Sequence, residues 1–239
     1  MVANYKKNVI AYYKDKTKTM VTSINNPFFK LKLDLVLYYC KDNYAIFEAG
    51  CGNGNFGLLL AQKIKSYYGV DLTYDMLTYF RERTVQKGMT NVFLVNGDLT
   101  SLPIKNDQFD LIFSYSTLYY IIDIRNALKE LNRILKEKGI AIFEFGTRYN
   151  INAVHSALRY KVPQFFISPW SIDSLLRESG FSILIRRYFK LIPSFLERGI
   201  IAKMLLNKEI GNISVDEWIS SLPILRNFAM KQIIVCQKR

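Results

Sequence analysis

The stretch EAGCGNG, residues 48–54, decides the fold of this chain. It follows the apolar run YAIF and precedes NFGLLLAQKIK, so a glycine-rich turn separates a buried strand from a helix-like segment. Glycine favours neither helix nor strand, because it loses more backbone freedom on folding than any other residue. Three glycines here let the backbone lie close against a bound molecule, directly behind the carboxylate of Glu48. Taken alone, such a turn is also compatible with NAD, with a flavin or with no ligand.

Short apolar runs alternate with amphipathic helices from about residue 44 onward. The predicted strands cover residues 44–49, 67–71, 91–98, 109–115, 139–146, 181–189 and 231–238. The predicted helices cover residues 54–65, 73–87, 124–138 and 168–180, and Gly139 closes the third of them. This alternation indicates a parallel sheet with helices on both faces, and the near-continuously apolar strands agree with it. Such sheets bind their ligands beyond the carboxyl ends of the strands.

Two further acidic residues follow predicted strands. Asp71 ends its strand 17 residues beyond Gly54, where a carboxylate can accept hydrogen bonds from both hydroxyls of a ribose. The competing interpretation is that Asp71 only caps the helix that follows it. Asp98 comes after Gly97, where it can accept from an exocyclic amine, and Leu99 beside it can pack on a flat ring.

The motifs EAGCGNG, GVD, NGDLTSLP, FDLIFSYSTLYYI and LKEKGIAIFEF together resemble those of class I S-adenosylmethionine-dependent methyltransferases of the small-molecule type. The resemblance is close over residues 44–146 and looser over residues 168–189. It implies a Rossmann-like, doubly wound α/β fold whose seven-stranded sheet is mostly parallel, with an antiparallel last strand and helices on both faces. It also implies S-adenosyl-L-methionine as cofactor, S-adenosyl-L-homocysteine as product, and no metal.

The resemblance implies a cofactor site built from the loops that follow the strands. Glu48 and the glycine loop would hold the methionine end, and Asp71 would take the ribose hydroxyls. Asp98 would bind the adenine amine, while Leu72 and Met76 would flank the ring. The remaining implied residues are Ala49, Gly50, Gly52, Gly54, Gly97, Leu99, Ser114 and Tyr115, the last two through backbone contacts near the methionyl group.

We predict one domain over residues 1–239, because the sequence shows no repeats and no Gly/Ser linker. It comprises an N-terminal helical lid or cap at 1–43, a cofactor-binding core at 44–146, and acceptor-covering insertions at 147–169 and 190–230. Within the cap, residues 25–40 are compatible with a helix capped by Asn26 or with a strand. Tyr12 and Tyr13 are placed to fold over the cofactor.

Few catalytic groups are expected, since positioning dominates the transfer of an already activated methyl group. His155 is the single histidine. It is a weak candidate for the general base of a hydroxyl acceptor, and a surface position on a lid helix is favoured. Tyr119, Tyr120, Tyr149 and Tyr160 either line an acceptor pocket or pack in the core and lid. The Pro-Pro turn that relatives use to methylate nucleobase or amide nitrogens is missing, because the fourth strand is followed by SYST.

The net charge of +13 is concentrated at the two ends of the chain. Residues 1–32 carry seven lysines against one acid, and residues 181–239 carry ten basic groups against four acidic ones. These ends either attract an acidic partner or are solvated lysine-rich faces. No apolar run reaches the roughly 20 residues of a membrane span, and the first residues are too polar for a signal peptide. We therefore expect a cytoplasmic protein, with peripheral membrane contact through its apolar late insertion as an option.

These features predict a methyltransferase that acts by in-line displacement on a small-molecule or lipid-like acceptor, at oxygen or nitrogen. The first alternative is an RNA methyltransferase that uses the basic termini, although no recognised RNA-binding module is present. A second is a non-catalytic relative that still binds the cofactor. An NAD-linked oxidoreductase is disfavoured, because Gly50, Gly52 and Gly57 match the GxGxxG pattern only when it is stretched.

Overall fold

Two helices precede the sheet in this computed structural model, which describes residues 2–20, 26–150, 162–191, 209–210 and 213–239. Helix α1 spans Val2–Lys14 and α2 spans Pro27–Tyr39. The carboxamide oxygen of Asn26 accepts hydrogen bonds from the backbone N–H groups of Phe28 and Phe29, at 3.0 and 3.1 Å. Asn26 is therefore the N-cap that the helical interpretation predicted, and the strand alternative for residues 25–40 is wrong.

Among the described residues, seven strands form one sheet in the order β3-β2-β1-β4-β5-β9-β6. Strands β1 to β5 pair in parallel, and β9 runs antiparallel to both β5 and β6. This confirms the predicted Rossmann-like sheet with an antiparallel last strand. The strands are β1 (Ala45–Ala49), β2 (Ser66–Asp71), β3 (Val92–Asn96), β4 (Phe109–Ser114), β5 (Leu135–Gly146), β6 (Phe181–Phe189) and β9 (Lys231–Lys238), while β7 (Glu209–Ile210) and β8 (Ile213–Ser214) form a separate pair.

Helices pack on both faces of the sheet, as predicted. Successive side chains of a strand point to opposite faces. Phe47 joins the core beneath the helices at Ile124–Ile134 and Pro169–Glu178, while Ile46 joins the core beneath α2 and the helix at Tyr74–Gln86. Both side chains are fully buried. Within the described ranges, no helix is long and apolar enough to cross a bilayer. The helices after β1 are α3 (Gly57–Leu60), α4 (Tyr74–Gln86), α5 (Ile124–Ile134), α6 (Pro169–Glu178) and α7 (Val215–Ser220).

Helix α3 is much shorter than the helix predicted over residues 54–65. It ends at Leu60, because the side-chain amide nitrogen of Asn91 donates hydrogen bonds to the carbonyl oxygens of Ala61 and Ile64, at 2.8 and 3.1 Å. Those carbonyls are thereby satisfied outside a helix, and the chain turns directly into β2. A distant asparagine thus sets the end of this helix, which local periodicity does not reveal.

Helix α5 also ends earlier than predicted, at Ile134 rather than at residue 138. Its beginning is as expected, since the Asp123 carboxylate accepts from the backbone N–H of Asn126 at 3.1 Å. Its end differs because Leu135 pairs with Phe109 of β4 and so already belongs to β5. Gly139 therefore lies within the strand and does not close the helix.

Candidate active site

A cavity of about 710 Å³ lies at the carboxyl ends of the parallel strands. This volume falls within the range of roughly 300–1,000 Å³ that is usual for small-molecule sites. The loops after β1, β2, β3 and β4 line it, and α1 and α2 contribute further walls. The predicted cofactor residues that line it are Glu48, Gly50, Gly52, Asp71, Leu72, Met76, Gly97, Asp98, Leu99 and Tyr115, while Ala49, Gly54 and Ser114 lie outside its lining.

The three glycines of the first loop have positive φ angles of 79°, 51° and 84°, but their surroundings differ. A Cβ atom at Gly50 would overlap the Thr117 side chain, and one at Gly54 would overlap the Phe80 ring. A Cβ at Gly52 would meet nothing within 4 Å. The expectation that all three glycines leave room for a ligand therefore needs correction. Gly52 leaves open space, whereas Gly50 and Gly54 leave room for the protein's own side chains.

Asp71 ties the glycine loop to the end of β2. One carboxylate oxygen accepts from the backbone N–H of Gly52 and the other from that of Thr73, both at 2.8 Å. Thr73 is the N-cap of the helix at Tyr74–Gln86, so Asp71 closes the turn before that helix and does not cap it, contrary to the competing interpretation. Each carboxylate oxygen keeps a second lone pair for a ligand hydroxyl. Burial raises the pKa of Asp71 even though both backbone bonds oppose the shift.

Glu48 is a second carboxylate on the cavity wall and, unlike half-buried Asp71, its side chain is buried. The Tyr67 hydroxyl donates to its Oε2 atom. Burial raises the pKa of Glu48 well above its usual value, although the Tyr67 hydrogen bond acts in the opposite direction. Burial disfavours the charged form of both Glu48 and Asp71, so a cationic ligand between them would be favourable.

Asp98 lies beneath α1, where Lys6 forms an ion pair with its Oδ2 atom. Its Oδ1 atom accepts from the backbone N–H and the hydroxyl of Thr100, at 3.0 and 2.8 Å. Burial alone would raise the pKa of Asp98, but Lys6 and Thr100 outweigh it and lower the pKa. The Tyr13 ring of α1 packs edge-on against Tyr120, with centroids 5.5 Å apart. The first helix therefore reaches across the cavity to the loop after β4.

A further charged cluster lines the cavity, and the sequence patterns did not predict it. Glu144 of β5 forms ion pairs with Lys32 of α2 and with Lys231 of β9. We refer to these three residues as the lysine cluster, and all three line the cavity. The available signal was a glutamate inside the otherwise apolar strand IAIFEFG and a lysine at the start of KQIIVCQK.

The remaining candidates separate into three groups. His155 and Tyr160 lie outside the described residues, so the general base stays a prediction. Tyr119 and Tyr120 line the cavity. Tyr149 does not line it and is about half exposed, packing against the Trp170 ring.

The sheet order and the glycine loop followed by acidic residues after β2 and β3 define the class I S-adenosylmethionine-dependent methyltransferase fold. The cofactor of this class is S-adenosyl-L-methionine. Residues 47–143 match the family model described as a methyltransferase domain.

Curated relatives match the same part of the chain. An uncharacterized methyltransferase of Bacillus subtilis, YcgJ, is 30% identical over 100 residues, which cover 42% of this chain and 40% of that protein. A demethylmenaquinone methyltransferase of Staphylococcus aureus is 35% identical over 95 residues, covering 38% of this chain and 39% of that protein. The chain therefore spans well under half the length of these two relatives.

The fold extends over most of the chain. A crystal structure of an S-adenosylmethionine-dependent methyltransferase from Mesorhizobium loti superimposes with a TM-score of 0.66. The match covers 90% of this chain and 100% of that chain at 18% sequence identity, so it supports the fold.

Proposed function

We propose that this protein is a methyltransferase that transfers a methyl group from S-adenosylmethionine to a small-molecule or lipid-like acceptor, at oxygen or nitrogen. The observation that carries this proposal is the pair of carboxylates, buried Glu48 and half-buried Asp71, at the glycine loop of the cavity. The bound cofactor supplies an activated methyl group on a cationic sulfonium. Carboxylates whose pKa values burial raises suit such a cationic molecule better than the pyrophosphate of a nicotinamide cofactor.

The chain's own residues would mainly bind and orient. Asp71 would accept from the ribose hydroxyls through its free lone pairs, and Asp98 would accept from the adenine amine. Glu48 would face the amino-acid end, and the open space at Gly52 would admit the cofactor close to the backbone. His155 remains our candidate for a general base, should the acceptor have to lose a proton.

A small acceptor is supported by the way the N-terminal segment covers the cavity. Described residues of α1 and α2 form part of its wall, which supports the proposal that residues 1–43 would act as a lid over the donor and acceptor. One relative is named for demethylmenaquinone, which is a small molecule. The insertions at 147–169 and 190–230 would complete the acceptor side, and a cytoplasmic location with peripheral membrane contact stays part of this proposal.

Calorimetric titration with S-adenosylhomocysteine tests the proposal. Asp71→Ala removes two charged hydrogen-bond acceptors, and hydrogen bonds to charged groups contribute about 1.5–3 kcal/mol each. We therefore expect at least about tenfold weaker binding, since 1.4 kcal/mol corresponds to a factor of ten. The matched control is Asp110→Ala, because Asp110 also accepts a backbone N–H, that of Ala45 at 2.9 Å, but lies outside the cavity lining.

Two outcomes would contradict the assignment. If wild-type protein does not bind S-adenosylhomocysteine, the cofactor assignment is wrong. If Asp71→Ala and Asp110→Ala bind it equally well, the carboxylate end of the cavity is not the donor site. Salt-dependent binding of RNA, with a slope that reflects several phosphates, would favour the RNA methyltransferase alternative.

A further inference from the structure

Three elements that are distant in sequence bring the lysine cluster together. Glu144 is fully buried on β5, and its two carboxylate oxygens are divided between Lys32 of α2 and Lys231 of β9. Each lysine side chain is only 15% exposed. All three side chains line the cavity, so whatever charge they carry is presented to a bound molecule.

The charges of the lysine cluster do not balance. Two ammonium groups share one carboxylate, and a third lysine, Lys190, lines the same cavity. A structural ion pair would need only one of these lysines, because taking a second ammonium group out of water is costly. The lysine cluster itself, two lysines and one glutamate, therefore carries one more positive charge than negative charge.

The three groups of the lysine cluster respond differently to this excess. Burial would raise the pKa of Glu144, but the adjacent Lys231 and Lys32 outweigh it and hold the pKa below its usual range. Burial would lower the pKa of Lys231, but Glu144 outweighs it and raises the pKa. Burial, together with the nearby Lys231 and Lys190, outweighs Glu144 and lowers the pKa of Lys32 to about 8. Lys32 is thus the ammonium group left without full compensation.

Apolar and aromatic side chains surround the lysine cluster on the cavity wall. Phe28, Phe189 and Ile233 line this part of the cavity. The Lys32 ammonium lies 5.2 Å from the centre of the Tyr115 ring, and the Lys231 ammonium lies 5.3 Å from that of Tyr119. This end of the cavity therefore suits a molecule with an apolar body and one negatively charged group.

The lysine cluster is also joined to the glycine loop. The Ser116 hydroxyl donates to Glu144 at 3.2 Å, and the neighbouring Thr117 hydroxyl lies 3.1 Å from the carbonyl oxygen of Tyr115 and 3.4 Å from that of Gly50. Two consecutive residues after β4 thus connect the lysine end of the cavity to its carboxylate end. A molecule bound at the lysine cluster would lie beside one bound at the glycine loop.

We propose that Lys32 and Lys231 bind an anionic oxygen group, a carboxylate or a phenolate, on the otherwise apolar acceptor of this enzyme. The inference rests on the proposed function, because it assigns the acceptor end of the same cavity. Glu144 holds the two ammonium groups apart and in place, and the acceptor supplies the negative charge that the cluster lacks.

Matched pairs of probes that differ mainly in charge test this proposal. Protein saturated with S-adenosylhomocysteine is titrated at neutral pH with 2-naphthoate and 2-naphthamide, and 4-nitrophenol, a phenol that ionises below the pKa of Lys32, is the phenolate arm. We expect the carboxylate or the phenolate to bind at least about tenfold more tightly than the amide, as for a charge-assisted hydrogen bond of about 1.5–3 kcal/mol. The arm that binds more tightly identifies the type of anionic group.

The variants are chosen so that Glu144 always keeps one partner. In Lys32→Met it retains Lys231, and in Lys231→Met it retains Lys32, so neither variant leaves a buried carboxylate unpaired. We expect both to reduce the preference for the anion towards unity while leaving S-adenosylhomocysteine affinity unchanged. Lys32→Arg should restore the preference. Lys30→Met is the matched control, since Lys30 is exposed on the same helix and lies outside the cavity lining.

Proton uptake gives a second readout that a purely structural cluster would not show. The charged or titratable groups facing Lys32 are Glu144, Lys231, Lys190 and Tyr115. A bound anion raises the pKa of Lys32 from about 8. Titrations at that pH, in buffers of different ionisation enthalpy, should therefore show uptake of up to about half a proton in wild type and none in Lys32→Met.

The proposal is overturned if protein that binds S-adenosylhomocysteine shows no preference for the anionic probes, including the case in which no probe binds. It is also overturned if Lys30→Met lowers the preference as much as Lys32→Met does. Neither result affects the donor site. Failure to bind S-adenosylhomocysteine would instead count against the proposed function, so the two failures are distinguishable.

Discussion

The two ends of the cavity differ in charge and in the way the chain builds them. The carboxylate end is formed by Glu48, Asp71 and Asp98, which lie at or just after the ends of three consecutive strands within about fifty residues of sequence. The lysine end combines Lys32 from the N-terminal segment with Glu144 and Lys231, almost ninety positions apart. The residues of the carboxylate end lie in motifs that are close together in the sequence, whereas those of the lysine end come together only in the folded sheet.

This difference matches the division of labour that a methyltransferase requires. A donor shared by a whole family is bound by a loop pattern that recurs with the fold. An acceptor specific to one protein can be bound by residues from the flanking segments, which vary freely around the same sheet. In the proposed function, the carboxylate end would hold the donor and the lysine end would hold the acceptor.

The largest expected effect comes from Glu144→Gln. It leaves two ammonium groups, each only 15% exposed, without a carboxylate, and breaking a buried pair costs about 3–5 kcal/mol. Urea unfolding at neutral pH should show a loss of this size. If the loss stays below about 1 kcal/mol, the cluster behaves like a surface ion pair and the contrast between the two ends disappears.

The stability of the same variant should also depend on pH. Lys32 has a lowered pKa in the folded protein, so between about pH 8 and its unfolded value the unfolded state binds more protons and stability rises with pH. Without Glu144 the pKa of Lys32 falls further, and the rise begins at lower pH. The deficit of Glu144→Gln should therefore shrink as the pH rises, and Lys32→Met in the same background should recover part of it at neutral pH.

Sequence patterns predicted the sheet, because strand hydrophobicity and the glycine loop are local signals. They failed where distant contacts decide. Asn91, just before β3, donates a hydrogen bond to the carbonyl oxygen of Ala61, after which α3 does not continue. Pairing of Leu135 with Phe109 makes the predicted end of α5 the beginning of a strand. Such contacts are tertiary, and periodicity within a window does not contain them.

The distinction between local and distant contacts also separates the site residues that were predicted from those that were not. Asp71 was assigned correctly to a strand end, but its bond to Gly52 connects residues 19 positions apart, which no local pattern specifies. Glu144 carried a weaker signal, a charge in a buried strand, but its partners lie on β9 and α2. Burial with partners from elsewhere in the chain is a property of the assembled fold.

Substitutions in the glycine loop should have intermediate effects on stability, and two of its glycines should differ. Gly54→Ala should lower stability by about 2–4 kcal/mol, because its Cβ overlaps the Phe80 ring and its φ angle is positive. Gly52→Ala faces open space and should lower stability by only about 1–2 kcal/mol from the left-handed backbone. Thermal unfolding measures both changes.

Cofactor affinity should separate the same two variants in the opposite sense. The added methyl group of Gly52→Ala projects into open space at the loop, so S-adenosylhomocysteine should bind about tenfold more weakly by calorimetry, a loss of about 1.4 kcal/mol. Gly54→Ala, measured at a temperature where it is folded, should bind it more nearly as wild type does. Unchanged affinity in Gly52→Ala would remove this glycine from the donor site.

The smallest expected effect concerns Lys6, the cation that α1 places at the carboxylate end. Its ion pair with Asp98 is about one-third exposed on both sides, so its contribution to stability should stay below about 1 kcal/mol. Because Lys6 and an adenine amine would compete for the same carboxylate, Lys6→Ala should tighten S-adenosylhomocysteine binding by a factor of about 2–5. The gain should fall at high salt, which already screens the ion pair. Lys7→Ala, with its exposed side chain, is the control and should change neither value. Weaker binding in Lys6→Ala would show instead that Lys6 contacts the donor, and the carboxylate end would then be a mixed-charge site.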